Sequence, residues 1–171
     1  QRNLAARWKA ADILHAPTPA AKAAMDKVDA NFPVILQSLQ ALGDSLKAQH
    51  ASADILARFD ALQATVKGMD SQSLRTVGWW PDGYDRFTSA LTAMQTLREQ
   101  ITLDAGLILD PWLETYLLMQ MSTQHTPDLI ERIGRMASVG QSSIASGQFT
   151  LQSRLQMRDL RGRIGDARDQ L

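Results

Sequence analysis

Two groups of aromatic and basic residues are the parts of this chain best suited to gripping a small molecule. Trp79, Trp80, Tyr84 and Arg86 crowd one stretch, and Trp112 and Tyr116 stand about one helical turn apart in another. Aromatic walls keep water out of a site between helices, and a few polar groups then fix the ligand's orientation. Arg2 and Arg7 add guanidinium groups, which stay charged when partly buried and hold a carboxylate or nitrate through paired hydrogen bonds. Each of these residues also has a plainer reading. Trp and Tyr at a helix end commonly cover the core, and an arginine near the start of a chain is commonly solvated.

Catalytic chemistry finds little footing. His15, His50 and His125 are scattered, and none belongs to an HExxH-type metal spacing. There is no glycine-rich phosphate loop, no serine in a nucleophile elbow, and no Glu-x-x-His pair of the kind that builds metal sites inside bundles. The expectation is a non-enzymatic protein without cofactor or metal. With 18 Lys plus Arg against 18 Asp plus Glu, the formal charge is zero, so the basic footprint of a nucleic-acid binder is missing. No cysteine is present, which removes disulfides and thiolate metal sites.

Hydrophobic spacing sets the elements that must position these groups. Met25, Val28, Phe32, Ile35, Leu39, Leu42 and Leu46 alternate steps of three and four, a heptad seam. Ile55, Phe59, Leu62, Val66 and Met69 repeat it in a new phase, with a turn expected at His50, Ala51 and Ser52. Further seams run through Phe87, Ala90, Met94, Leu97 and Ile101, then Leu129, Ile133 and Met136, and last Met157, Leu160, Ile164, Ala167 and Leu171. Breakers separate them. Thr18 and Pro19 start one helix, Asp110 and Pro111 another, and Thr126 and Pro127 a third, each as a cap followed by a first-turn proline. Gly106 weakens the helix before Asp110. Pro33 falls inside the first seam and should kink or interrupt it. Residues 78–83 read as an irregular connection and residues 140–147 as a mobile Ser/Gly loop, after which Thr150 caps the final helix. The fold expected is all-α: an antiparallel, four-helix-bundle-like arrangement of five or six helices including short ones, forming one domain over residues 1–171. Long seams of this kind also suit a homodimer.

Residues 101–119 carry a resemblance. Leu109-Asp110-Pro111, acidic Glu114, Thr115, Tyr116 and Leu118-Met119 resemble a signature of extracytoplasmic sensor domains in bacterial methyl-accepting chemotaxis proteins and hybrid sensor histidine kinases. Gln1-Arg2-Asn3-Leu4-Ala5-Ala6 resembles the opening segment of those receptors and of nitrate- and nitrite-sensing domains, with Asn3 and Ala6 in place of the usual Gly and Ser. Val28-Asp29-Ala30 is similar to a Val-Asp-rich helix of the family. Pro127, Leu129, Glu131, Gly134 and Gly140 follow a later helix pattern, and Phe149-Thr150-Leu151 with Arg154 follows the start of the next. The chain departs from the family where Leu117 follows Tyr116, where Gln120 replaces an Asp, and where Phe87-Thr88 replaces a His-Thr pair.

The resemblance implies a receptor rather than an enzyme. It implies a periplasmic domain cut from a longer inner-membrane protein, whose absent flanks hold the transmembrane helices and the signalling module. The implied partner is a small molecule, an anion or organic acid among the candidates, or a periplasmic binding protein. In the nitrate-sensing relatives an arginine at the position of Arg2 binds the anion. The competing expectation is a helical interaction or dimerisation module with no small ligand, since a fold of this kind does not fix a function.

Overall fold

The computed structural model describes every residue except 14, 16, 17, 78, 79, 108–111, 170 and 171, and for residues 13 and 80–82 the backbone alone. The expected all-α class is what it shows, with no strand among the described residues. Helices α1 (Arg2–Ile13), α2 (Pro19–Ala48), α3 (Ala53–Lys67), α4 (Ser71–Arg75) and α5 (Trp80–Asp104) come first. Helix α6 (Leu113–Gln120), a π-helical turn (Met121–His125), α7 (Thr126–Ser146) and α8 (Leu151–Arg168) follow. The chain divides into two compact units, Gln1–Leu97 and Arg98–Leu171.

In the first unit, the apolar residues that α1 buries are mostly alanine, Ala5, Ala6, Ala10 and Ala11, with Trp8 as the one large apolar side chain, which lets α1 lie close to α2. Ala5, Ala6 and Trp8 join Met25 and Val28 of α2, Met69, Leu74 of α4, and Phe87 and Ala90 of α5 in one core. Lys9 is also buried, and its charge is satisfied. Its Nζ donates to Asp12 Oδ2 at 2.9 Å and to the carbonyl of Arg75 at 3.3 Å, at the negative end of α4. Arg75 in turn lies 5.5 Å from the Trp8 ring centroid.

Of the expected caps, Thr18 and Thr150 hold and Thr126 does not. Thr18 accepts from the Ala21 amide at 3.1 Å with Pro19 opening α2, and Ser52 accepts from the Ile55 amide at 3.4 Å after the expected turn. Asp70 accepts from the Ser73 amide at 2.6 Å to start α4, a short helix that no hydrophobic period announces. Two breakers act differently from expectation. Pro33 lies inside α2, which continues unbroken to Ala48; Val28 and Leu39 are buried on either side, so packing outweighs the missing hydrogen bond. The connection expected over residues 78–83 is shorter, because α5 already begins at Trp80 and places Pro81 in its first turn, where the absent N–H costs nothing.

In the second unit, α7 and α8 form an antiparallel pair. Gly140 faces Met157, and Arg132 Nη1 donates to the Arg163 carbonyl at 2.9 Å. The mobile loop expected over residues 140–147 is instead helix through Ser146. Ser138, Val139 and Ser143 are buried, so the small side chains that read as loop composition permit close helix packing. Gly147, at φ 65°, ends α7 in the left-handed region, and Thr150 caps α8 by accepting from the Ser153 amide at 3.1 Å. Gly106, at φ 67°, lies two residues past the end of α5. The expected cap at Asp110 and helix start at Pro111 lie outside the described residues. The described helix α6 begins at Leu113, without a side-chain cap from Trp112.

Candidate functional site

Thr126 and Pro127 were expected to open a new helix after a turn, and here the structure corrects the sequence. His125 and Thr126 are helical in backbone conformation, so α6, the π turn and α7 run as one helical stretch. The reason is local. Proline at 127 has no N–H to give and its ring crowds the carbonyl four residues back, that of Thr123. A wider i→i−5 turn relieves the crowding: the Thr126 amide donates to the Met121 carbonyl, one residue before the proline. Hydroxyls cover carbonyls in this stretch, Thr123 Oγ1 donating to Met119 O at 2.6 Å and Ser122 Oγ to Leu118 O at 2.8 Å. Single π turns of this kind are frequent at functional sites.

A cavity of about 240 Å³ lies against this turn, wholly within the second unit. Tyr116, Met119, Gln120, Thr123 and Gln124 line one side, and the last turns of α5, with Arg98, Glu99, Thr102, Leu103 and the following Leu107, line the other. Gln120 Nε2 donates to the Tyr116 hydroxyl oxygen at 2.6 Å, which leaves the phenol proton to be donated elsewhere. Arg98 is half-buried; its Nε is shielded from solvent and has no hydrogen-bond partner among the described residues. Polar groups thus converge on a space with an apolar wall of Leu103, Leu107 and Met119, the composition of a small-ligand site.

The residues singled out from the sequence are divided by this geometry. Tyr116 lines the cavity, whereas Trp112 is 74% exposed and is not among the residues that line it. Arg2 is buried in the first unit, with its guanidinium 5.6 Å from the Tyr84 ring centroid, a packed cation–π pair. Arg7 is exposed on α1. Arg86 borders a broad open hollow with Asp85, Thr65 and Gly68, where both charges are exposed to water. Trp79 lies outside the described residues, as does the side chain of Trp80.

No family model matches this chain, and no curated protein or solved structure does either. The site is therefore argued from its own residues. Sequence reasoning missed Arg98, Glu99 and Thr102, although a signal existed. Arg58, Arg132, Arg135 and Arg163 each pair with an acid one helical turn away. Arg98 has only Met94, Gln95, Ile101 and Thr102 at those offsets, and Glu99 has Gln95, Thr96, Thr102 and Leu103. Two charges left without a partner on their own helix mark a place where the chain expects something else.

Proposed function

We propose that this chain is the extracytoplasmic sensing domain of a bacterial transmembrane receptor, a chemoreceptor or a sensor histidine kinase. The observation that carries the reading is the cavity at the π turn. It brings Tyr116, Met119 and Gln120, from the stretch that resembles the receptor signature or directly after it, onto Arg98 and Glu99 of α5, neither of which makes an ion pair among the described residues. A ligand there touches a helical stretch that continues into α7, and α7 packs along α8. Occupancy that favours one packing of these helices over another would shift α8 and carry the signal toward a membrane-spanning flank. A tenfold preference for one packing moves the balance by about 1.4 kcal/mol. No described helix is itself long and apolar enough to cross a membrane, so in this reading the periplasmic domain depends on flanking segments for its anchor.

A second reading has its own support. Ile130, Ile133 and Ile144 of α7 and Leu151 and Leu155 of α8 are exposed. Apolar surface of this extent marks contact with a partner, here a second copy of the chain or a periplasmic binding protein. A homodimer is compatible with ligand sensing; an interaction module alone is not.

A thermal-shift screen of the purified chain against amino acids, organic acids and inorganic anions separates the two readings. A ligand at 100 times its Kd stabilises the fold by about 2.7 kcal/mol, which raises the melting temperature by about 5 to 11 °C at the scale expected for a chain of this length. No shift with any compound, together with saturable binding of a protein, would replace the sensor by the interaction module.

A further inference from the structure

The cavity at the π turn holds one cation and one anion that do not neutralise each other. Among the described residues neither Arg98 nor Glu99 makes an ion pair, and neither has an oppositely charged residue three or four positions away. Arg98 is half-buried with its Nε shielded, so its charge has been partly withdrawn from water without a protein carboxylate to replace the lost hydration. Glu99 is exposed at the rim of the same space. A simple anion on Arg98 would share the cavity with the like-charged Glu99 carboxylate. A simple cation on Glu99 would leave Arg98 unpaired. A ligand that carries both charges answers both.

We propose that the site binds a free α-amino acid, its carboxylate on Arg98 and the Tyr116 hydroxyl and its ammonium toward Glu99. The proposal rests on the sensing role argued above. The remaining lining fits that class. The Gln120 amide already donates to the Tyr116 oxygen, so the phenol proton is left available as a second donor for a carboxylate. Leu103, Leu107 and Met119 offer an apolar wall for an aliphatic side chain. At about 240 Å³ the cavity lies below the range of about 300 to 1,000 Å³ typical of drug-sized ligands, which favours one amino acid over a peptide.

The test is calorimetry on the full chain with the twenty standard L-amino acids, followed by comparison of the tightest with its deaminated acid and its decarboxylated amine. The expected result is saturable binding of the amino acid with both analogues weaker by about tenfold or more, since each leaves one charge unpaired. Arg98→Met should weaken the amino acid by at least that factor with the melting curve of the unliganded protein retained. Arg98→Lys, which keeps the charge, should recover part of the affinity and separates loss of binding from loss of folding. Glu99→Gln should weaken the amino acid while leaving the deaminated acid unchanged or improved. Equal affinity for the deaminated acid, or an Arg98→Met protein that folds and binds normally, would overturn the proposal. If no amino acid binds at millimolar concentration while another compound from the screen stabilises the protein, the amino-acid assignment falls and the sensing role stands. If nothing binds, both fall.

Discussion

Replacing Gly43 by alanine should destabilise the first unit, against the ordinary preference of helices for alanine. Gly43 is buried in α2, and a Cβ built there would sit 2.7 Å from Cε1 and 2.8 Å from Cζ of Phe59 in α3. Carbon atoms in good contact lie about 3.5 to 4.0 Å apart, so the ring would have to retreat by at least several tenths of an ångström. Phe59 is 3% exposed and is held within α3, so that retreat strains its neighbours. Overpacking of this kind costs about 1 to 3 kcal/mol, while exchanging glycine for alanine inside a helix returns about 0.8 to 1.0 kcal/mol. The net loss is about 1 kcal/mol. With a urea dependence of about 2 kcal/mol per molar, the unfolding midpoint falls by about 0.5 M. Phe59→Leu removes the two ring atoms that collide, and in that background Gly43→Ala should raise the midpoint. The reasoning fails if Gly43→Ala stabilises the otherwise unaltered protein, or lowers the midpoint equally in both backgrounds.

Other expectations follow from single contacts. Gly147→Ala, at φ 65° with nothing within 4 Å of the added carbon, should cost about 1 kcal/mol from backbone strain alone; a melting temperature lower by about 2 to 4 °C, partly restored by Asn at the same site, is the readout. The Ser73 amide holds the Asp70 carboxyl below its ordinary value of 3.8. Because the folded value is the depressed one, the cap is fully in place above pH 3.8 and is lost only as pH falls through that lower value. A carbon-detected titration of Asp70 with a midpoint at or above 3.8 would contradict this. Pro127→Ala supplies the missing N–H and should let the π turn relax toward α-helix. Amide exchange at the start of α7 should then slow, and affinity for any ligand of the cavity should drop as Tyr116 and Gln120 turn relative to Thr123 and Gln124; unchanged exchange would show that the proline does not hold the turn open.

The all-α fold was legible because its determinants are local and periodic: the seam from Met25 to Leu46 is α2, Thr18 and Thr150 cap the helices they were expected to cap, and the turn expected at His50, Ala51 and Ser52 separates α2 from α3. Two of the errors share one cause. Pro33 and the Ser/Gly-rich residues 140–146 are breakers by composition, yet burial of Val28, Leu39, Val139 and Ser143 holds both segments helical, whereas Pro127 is accommodated by its local π turn. Only a partner helix distant in sequence can supply that burial. The candidate site was read in part. Tyr116 was found through its aromatic neighbour, but Trp112, the neighbour, faces solvent. Arg2 and Tyr84 were grouped with ligand-binding residues because guanidinium and aromatic chemistry serves a ligand and a packed cation–π pair equally well. Arg98 and Glu99 were missed because the lack of an opposite charge one helical turn away is a weak signal until the cavity gathers both residues with Tyr116 and Gln120.

The most direct test of the account is a backbone-amide shift map recorded while titrating the hit of the thermal-shift screen into the isotope-labelled chain. The account predicts saturable changes concentrated at residues 98–103 and 116–124, with smaller ones spreading along α7 into α8. Changes confined to the surroundings of Arg2 and Tyr84, or to the exposed face of Ile130, Ile133 and Ile144, would place the ligand elsewhere and contradict it.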